Sequence, residues 1–415
     1  MWHQKRFPEF YHFTTSFNDN NNSHYNPAEY DLQSHIFLRD SARIYTNNHK
    51  KIRENQEPDL IHELIQEILC HKPSAVALSV VYSSQAFYTL SLLQKLKELS
   101  IPTIIGGGAI TQQLRNAATH TLKNEVELLN FVEQKQITHE TLKSAFPLDY
   151  LPTLNQNYFS PQNVFTLKTT ISCYYQQCTF CSHHQNKKYQ EFPLSEIEQT
   201  IINNNMKFVF FIDDMIHKKR LLELGAICKR HNVKWMCQLR PTRDLDQATL
   251  NTLYHSGLRI VLWGVESASE RIINLMKKGT SIKDAAAVLH NSKEVGIKNV
   301  LYIMFGFPTE TKDEFLQTIQ FLRDNSKNID LVSTSIFGLQ QGTPAYENPQ
   351  AIGITEINHI KRTILEPKIS YTTSTGLSQD EANQLRKSHK KSIDAPNKYP
   401  KAMNFLREHM FFTEE

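Results

Sequence analysis

The reading of this chain turns on one stretch: Val164-Phe165-Thr166-Leu167-Lys168, then Thr169 to Ser172, then Cys173-Tyr174-Tyr175-Gln176-Gln177-Cys178-Thr179-Phe180-Cys181. The apolar start predicts a short strand over 164–168. Three cysteines follow it on one loop. Only six occur in all 415 residues; the others are Cys70, Cys228 and Cys237. Scattered cysteines of that kind read as small buried hydrophobes. Three within nine residues read as metal binding before disulfides in a chain of this size.

Downstream, strands and helices alternate. Ser195-Glu196-Ile197-Glu198 has the form of a capping box opening a helix to Asn203. Apolar runs predict strands at 208–212, 233–239, 260–263, 300–305 and 331–337. Helices are expected at 218–230, at 247–255 before Gly257, and at 282–295 before Gly296. A second capping box, Thr311 with Glu314, opens a helix to about Arg323. Six strand–helix units in about 175 residues predict a partial (β/α)6 barrel, since eight-unit barrels take about 250. The fold class is therefore α/β, with catalytic loops at the carboxyl ends of the strands.

Upstream, residues 1–50 read as an irregular segment, polar and turn-rich over 18–30. A helix is expected at 58–70, a strand at 75–81, a helix at 85–99 and a strand at 101–105 running into Gly106-Gly107-Gly108. This is a doubly wound fragment over 51–148. The barrel is assigned to 149–346, and 347–415 form a C-terminal extension with one polar helix near 379–391.

Lys and Arg total 46 against 42 for Asp and Glu, so the net charge is +4. That balance argues for neither a nucleic-acid nor a membrane surface. No apolar run reaches the roughly 18 residues of a membrane span. The start, MWHQKRFPEF, has no apolar signal core, so a cytoplasmic location is the default expectation.

Three thiolates on one loop suit a 4Fe–4S cluster with one iron left open. The same residues also suit a Cys3His zinc site, with His183 or His184 as fourth ligand. Cys178 and Cys181 also have the spacing of a redox dithiol. The alternative from another class is thus a non-catalytic zinc or cluster-binding module.

Taken with the motifs around it, the loop resembles the radical SAM superfamily. Cys-x-Phe-Cys ends the loop after the first strand. Gly264-Val265-Glu266-Ser267-Ala268-Ser269-Glu270-Arg271, Met276-x-x-Gly279-Thr280, Phe305-Gly306-Phe307-Pro308-Thr309-Glu310-Thr311 and Gly342-Thr343-Pro344 are similar to that superfamily's cobalamin-domain branch. One departure is the spacing, C-x4-C-x2-C rather than C-x3-C-x2-C. It resembles a peptide-maturation subgroup reading C-Y-W-x-x-C-x-F-C, with Tyr175 where Trp is usual.

The resemblance implies that Cys173, Cys178 and Cys181 hold a 4Fe–4S cluster whose open iron chelates S-adenosylmethionine. Phe180 would pack beside the adenine. Asp213 and Asp214 would accept from the methionine ammonium, Arg240 would pair with its carboxylate, and Glu266 and Ser267 would hold the ribose hydroxyls. The ordinary readings of these residues are a helix cap for the aspartates and a surface salt bridge for Arg240. The cluster would need an electron donor of ferredoxin or flavodoxin type, and the substrate would be a small molecule or a peptide. The runner-up activity is a cobalamin-dependent C-methyltransferase, including one acting on a ribosomally made peptide.

Residues 76–111 look like the second half of a cobalamin-binding domain. The D-x-H-x-x-G that supplies a cobalt ligand has no match, and His49, His62 and His71 all precede the first readable strand. The expectation is a reduced unit, with cobalamin possible but not favoured.

Overall fold

The computed structural model describes residues 7–15, 25–134, 147–154, 158–183 and 188–413. The chain divides into two compact units. One takes Met1–His35, Phe146–Asn358 and Ser370–Glu415; the other takes Ile36–Ala145 and His359–Ile369.

The smaller unit holds a three-stranded parallel sheet, β1 (Val76–Ser79), β2 (Thr103–Gly106) and β3 (His120–Thr121), in that order. Helix Ser83–Glu98 joins β1 to β2 and packs Phe87, Leu90 and Leu93 against Val80 and Ile105. Gly107 has φ +118, and a Cβ there would lie 2.3 Å from the carbonyl oxygen of Val80. Only glycine lets the chain leave β2 this way. Ile364 completes the same core from the distant 359–369 segment.

The amino-terminal segment is not irregular throughout. Pro27–Arg53 is a 27-residue helix that begins in the larger unit and ends in the smaller. Its buried positions include Tyr30, Ser34, Asn48 and Ile52, while Leu32 and Tyr45 are exposed. Polar residues in the buried stripe and apolar ones outside it erase the helical period a sequence reading depends on.

The larger unit is built on a six-stranded parallel sheet. Its strands are β4 (Val164–Leu167), β7 (Phe208–Phe211), β8 (Lys234–Leu239), β9 (Leu258–Glu266), β10 (Lys298–Phe305) and β11 (Leu331–Ile336). They lie side by side in chain order, each parallel to the next. A short antiparallel pair, β5 (Thr170–Ile171) with β6 (Gln190–Glu191), flanks the cysteine loop. The helices match expectation closely, with Lys218–Arg230 and Gln247–His255 at the predicted limits. The Thr311/Glu314 capping box forms. The Ser195 box does not: the helix starts at Leu194, with Pro193 at its N-cap and no side-chain cap bond. Trp235, Trp263, Phe211 and Phe305 fill the core without exposure.

The two ends of the sheet are treated differently. At the amino ends the C-terminal turns Lys401–Asn404 and Arg407–Phe412 form a floor. The Lys298 ammonium donates to the carbonyls of Met410 (2.9 Å) and Thr413 (2.8 Å), and Phe208 packs on Phe412. At the carboxyl ends the two-stranded ribbon β12 (Ile354–Ile360) and β13 (Lys368–Thr373) clasps the loop after β10. Tyr371 donates to the Gly306 carbonyl at 3.2 Å, and Leu377 N–H to that of Glu310 at 2.7 Å.

Candidate active site: the cysteine loop and the carboxyl ends of the strands

The loop carrying Cys173, Cys178 and Cys181 leaves the carboxyl end of β4 and β5. The three thiols are free and half-buried. Thr179 pins the loop: its N–H donates to the Met276 carbonyl (3.0 Å), its hydroxyl to that of Leu275 (3.0 Å), and its carbonyl accepts from Ala345 N–H (2.8 Å). The Met276-to-Thr280 segment and the Gly342-Thr343-Pro344 turn are thus the two supports of the cluster loop.

The four residues between Cys173 and Cys178 are clamped on both sides. Tyr174 meets the rings of His217 (5.6 Å) and Tyr189 (6.2 Å) edge-on. Tyr175 lies under the Arg240 guanidinium, 3.7 Å from carbon to ring centroid, and donates to the Lys277 carbonyl at 2.9 Å. Gly279, at φ +66, makes room for it: a Cβ would sit 2.1 Å from the Tyr175 hydroxyl. The extra residue of C-x4-C is absorbed as backbone bend, with Ser172 at φ 66 and Gln176 at φ 49.

Among the described residues no three His, Cys, Asp or Glu side chains crowd one point closely enough to hold a single metal ion. A cube binds each thiolate to a different iron and so spaces them more widely than one ion does. A three-thiolate donor set on a pinned loop fits such a cluster. His183, one of two candidates for a zinc ligand, bonds Asp214 at 2.8 Å. His184, the other, lies outside the described residues.

The remaining site residues fall into two groups. Phe180 lies on the loop, and Asp214, Arg240 and Glu266 lie around it. Asp214 follows β7, bonded to His183 with Lys168 at 3.6 Å; burial raises its carboxyl, but His183 and Lys168 outweigh it and hold it below the usual range. Arg240 follows β8, buried, with one N–H on the Lys278 carbonyl at 2.8 Å and its Nε unpartnered. Glu266 ends β9 at φ 69, beside a register shift in the β9–β10 pairing that skips Val265. Such a bulge re-aims a side chain, and left-handed backbone at a glutamate is a strained conformation that its surroundings must hold.

Asp213 and Ser267 turn inward. Asp213 is fully buried and accepts from Thr169 N–H (2.8 Å) and from the hydroxyls of Thr169 (3.1 Å) and Thr170 (2.7 Å). Burial pushes its carboxyl above the usual range against the pull of these donors. Ser267 is equally buried, accepts from Ser269 N–H at 3.2 Å and faces Thr318. Both have protein partners, and both hold the backbone beside a residue that faces the loop.

Sequence reasoning gave no role to Lys278 or Thr179, and noted Tyr175 only as standing where Trp is usual. Lys278 is buried; its ammonium pairs with Glu266 Oε1 at 2.9 Å and lies 5.4 Å from the Phe180 ring centroid. The signal was present, because Lys278 fills a position read only as a spacer in Met276-x-x-Gly279-Thr280.

Residues 167–322 match the Radical SAM superfamily. The barrel carries a radical SAM domain. The chain is 25% identical over 215 residues to an uncharacterized methyltransferase of Pyrococcus horikoshii, covering 49% of this chain and 46% of that one. It is 28% identical over 166 residues to a ribosomal protein uS12 methylthiotransferase of Caldicellulosiruptor saccharolyticus, covering 37% of each. The chain thus spans less than half the length of these relatives. Among solved structures, the cobalamin-dependent S-adenosylmethionine radical enzyme OxsB has a similar fold, with TM-score 0.60 at 15% identity over 85% of this chain and 64% of that one. The radical S-adenosylmethionine methyltransferase TsrM of Kitasatospora setae gives 0.56 at 13% identity over 81% of each. These likenesses extend past the radical SAM domain. No helix among the described residues is long and apolar enough to cross a membrane.

Proposed function

We propose that this chain is a radical SAM enzyme whose cluster is held by Cys173, Cys178 and Cys181. The observation that carries the reading is the pinning of a three-thiol loop by Thr179 at the carboxyl end of the parallel sheet. A cluster held by these three residues would supply the one-electron reductive cleavage of S-adenosylmethionine. An electron donor and a substrate are therefore required, the donor being of ferredoxin or flavodoxin type.

The chain's own residues bind and orient the cofactor. Asp214, its carboxyl held below the usual range by His183 and Lys168, would accept from the methionine ammonium. Glu266, whose Oε1 is held by Lys278, would take the ribose hydroxyls on Oε2. Arg240, with a free Nε, would pair with the methionine carboxylate, and Phe180 would flank the adenine. Asp213 and Ser267 position the turns that carry these groups.

The reconstituted protein is expected to hold about four irons and four sulfides and, with dithionite, to release 5′-deoxyadenosine. Replacing all three loop cysteines by Ala should abolish both; Cys228→Ala and Cys237→Ala should keep the iron. Zinc without sulfide, or iron surviving the triple replacement, defeats the reading.

A second reading, cobalamin-dependent methyl transfer, is favoured by one observation: a fold like that of two cobalamin or methyltransferase enzymes runs through most of the chain. This shifts the sequence-based expectation toward cobalamin. Two histidines of the smaller unit have protein partners, His49 between Tyr45 and Phe87 and His62 on Glu57. Binding without a histidine on cobalt would go through backbone at the strand ends. A Cβ at Gly108 meets nothing within 4 Å, and Val81 and Tyr82 are exposed at the end of β1. Hydroxocobalamin should be retained through gel filtration and lost on Gly108→Phe, a substitution the backbone tolerates. No retention by the wild type defeats this second reading alone.

A further inference from the structure

We propose that the buried ammonium of Lys278 sets the reduction potential of the cluster, holding it higher than the three thiolates alone would. The inference rests on the cluster reading above and goes beyond it.

Lys278 belongs to the segment that carries the loop. Met276 and Leu275 bind Thr179, Lys277 binds Tyr175, and the Lys278 carbonyl binds Arg240. The ammonium itself is turned toward the loop, over the ring of Phe180, which sits between Cys178 and Cys181. The side chain is only 7% exposed. An ammonium withdrawn from water is costly, and here Glu266 compensates it at 2.9 Å. In such a medium its field reaches further than at the surface.

The sign follows from charge. A reduced cluster carries one more negative charge than an oxidised one, so a nearby cation favours reduction. Net charge and hydrogen bonding around the sulfurs are the levers on such potentials. Glu266 acts oppositely, because its carboxylate offsets the ammonium.

The test is a redox titration of the reconstituted holoenzyme followed by electron paramagnetic resonance, without S-adenosylmethionine. Iron and sulfide are measured on every variant. Lys278→Met should lower the midpoint, leaving the reduced-to-oxidised ratio roughly tenfold smaller at the wild-type midpoint, or about 59 mV. Lys278→Arg should restore it, and Glu266→Gln should move it the other way. Opposite shifts from two partners of one ion pair are not produced by loosened packing. If Lys278→Met fails to hold a cluster, the upward shift in Glu266→Gln and the restored value in Lys278→Arg still decide. Equal potentials in intact clusters overturn the proposal, as does an unchanged potential with lost cofactor affinity, which would make Lys278 a cofactor contact. A wild type without iron and sulfide defeats the cluster reading instead.

Discussion

The two units use parallel sheets in contrasting ways. In the larger, strands such as β9 (LRIVLWGVE) are buried nearly from end to end, as parallel strands covered on both faces require. In the smaller, β1 is an edge strand whose alternate residues Ala77 and Ser79 are exposed. The larger sheet is a finished core on which a reactive site can be held rigidly. The smaller is thin and depends on a segment far along the chain, 359–369, to complete it. Precision of placement is needed where thiols and charged groups converge, and the strands that carry those groups are the buried ones.

The contrast can be broken most severely in the cores. Trp235 is fully buried and donates to the Ser256 carbonyl at 3.1 Å. Trp235→Ala should cost about 3–5 kcal/mol and more for the orphaned carbonyl, and should lose iron on reconstitution. Leu93→Ala, in the smaller core, should cost about 2–5 kcal/mol and loosen proteolysis sites within 36–134 while iron is retained. Equal iron loss in both, measured with limited digestion, would show that the units fold as one.

A pH-dependent effect tests the clasp over β10. Glu310 is fully buried, accepts from Gly306 N–H and has Oε1 unpartnered; burial raises its carboxyl to about 8. A carboxyl raised on folding binds its proton more tightly in the folded state. Stability should therefore fall as pH rises between the unfolded value, about 4.3, and about 8, by at most roughly 1.4 kcal/mol per pH unit. Glu310→Gln should remove that slope. Urea unfolding at several pH values measures it, and parallel slopes in both proteins would refute it.

The smallest effect compares the two apparent capping boxes. Thr311→Ala removes the acceptor for Glu314 N–H and should cost about 1 kcal/mol. Ser195→Ala should change little, since Ser195 caps nothing. Paired thermal melts would show the difference, and equal shifts would contradict it.

The capping boxes also show where sequence reading stops. Thr-x-x-Glu and Ser-x-x-Glu are indistinguishable locally; at the second, Pro193 had already set the chain into the helix one residue earlier. The helix Pro27–Arg53 went unread because its buried face includes Ser34 and Asn48. Asp213 and Asp214 are adjacent and chemically equal, yet one is sealed by Thr169 and Thr170 and the other faces His183.

What the sequence determined by itself was the periodic and the local: six alternating strand–helix units, a three-cysteine loop after the first of them, and glycines where the backbone must turn back. These depend on residues near one another in the chain, so their pattern survives as text. Only the tertiary structure decided which of the flanking groups meet. The bulge that turns Glu266 toward Lys278, the stacking of Arg240 on Tyr175 and the pinning of Thr179 by a segment about a hundred residues away each join distant parts of the chain. Charge at a reactive centre is set by such meetings, because burial and a partner a few ångströms away change a group's energy more than its identity does.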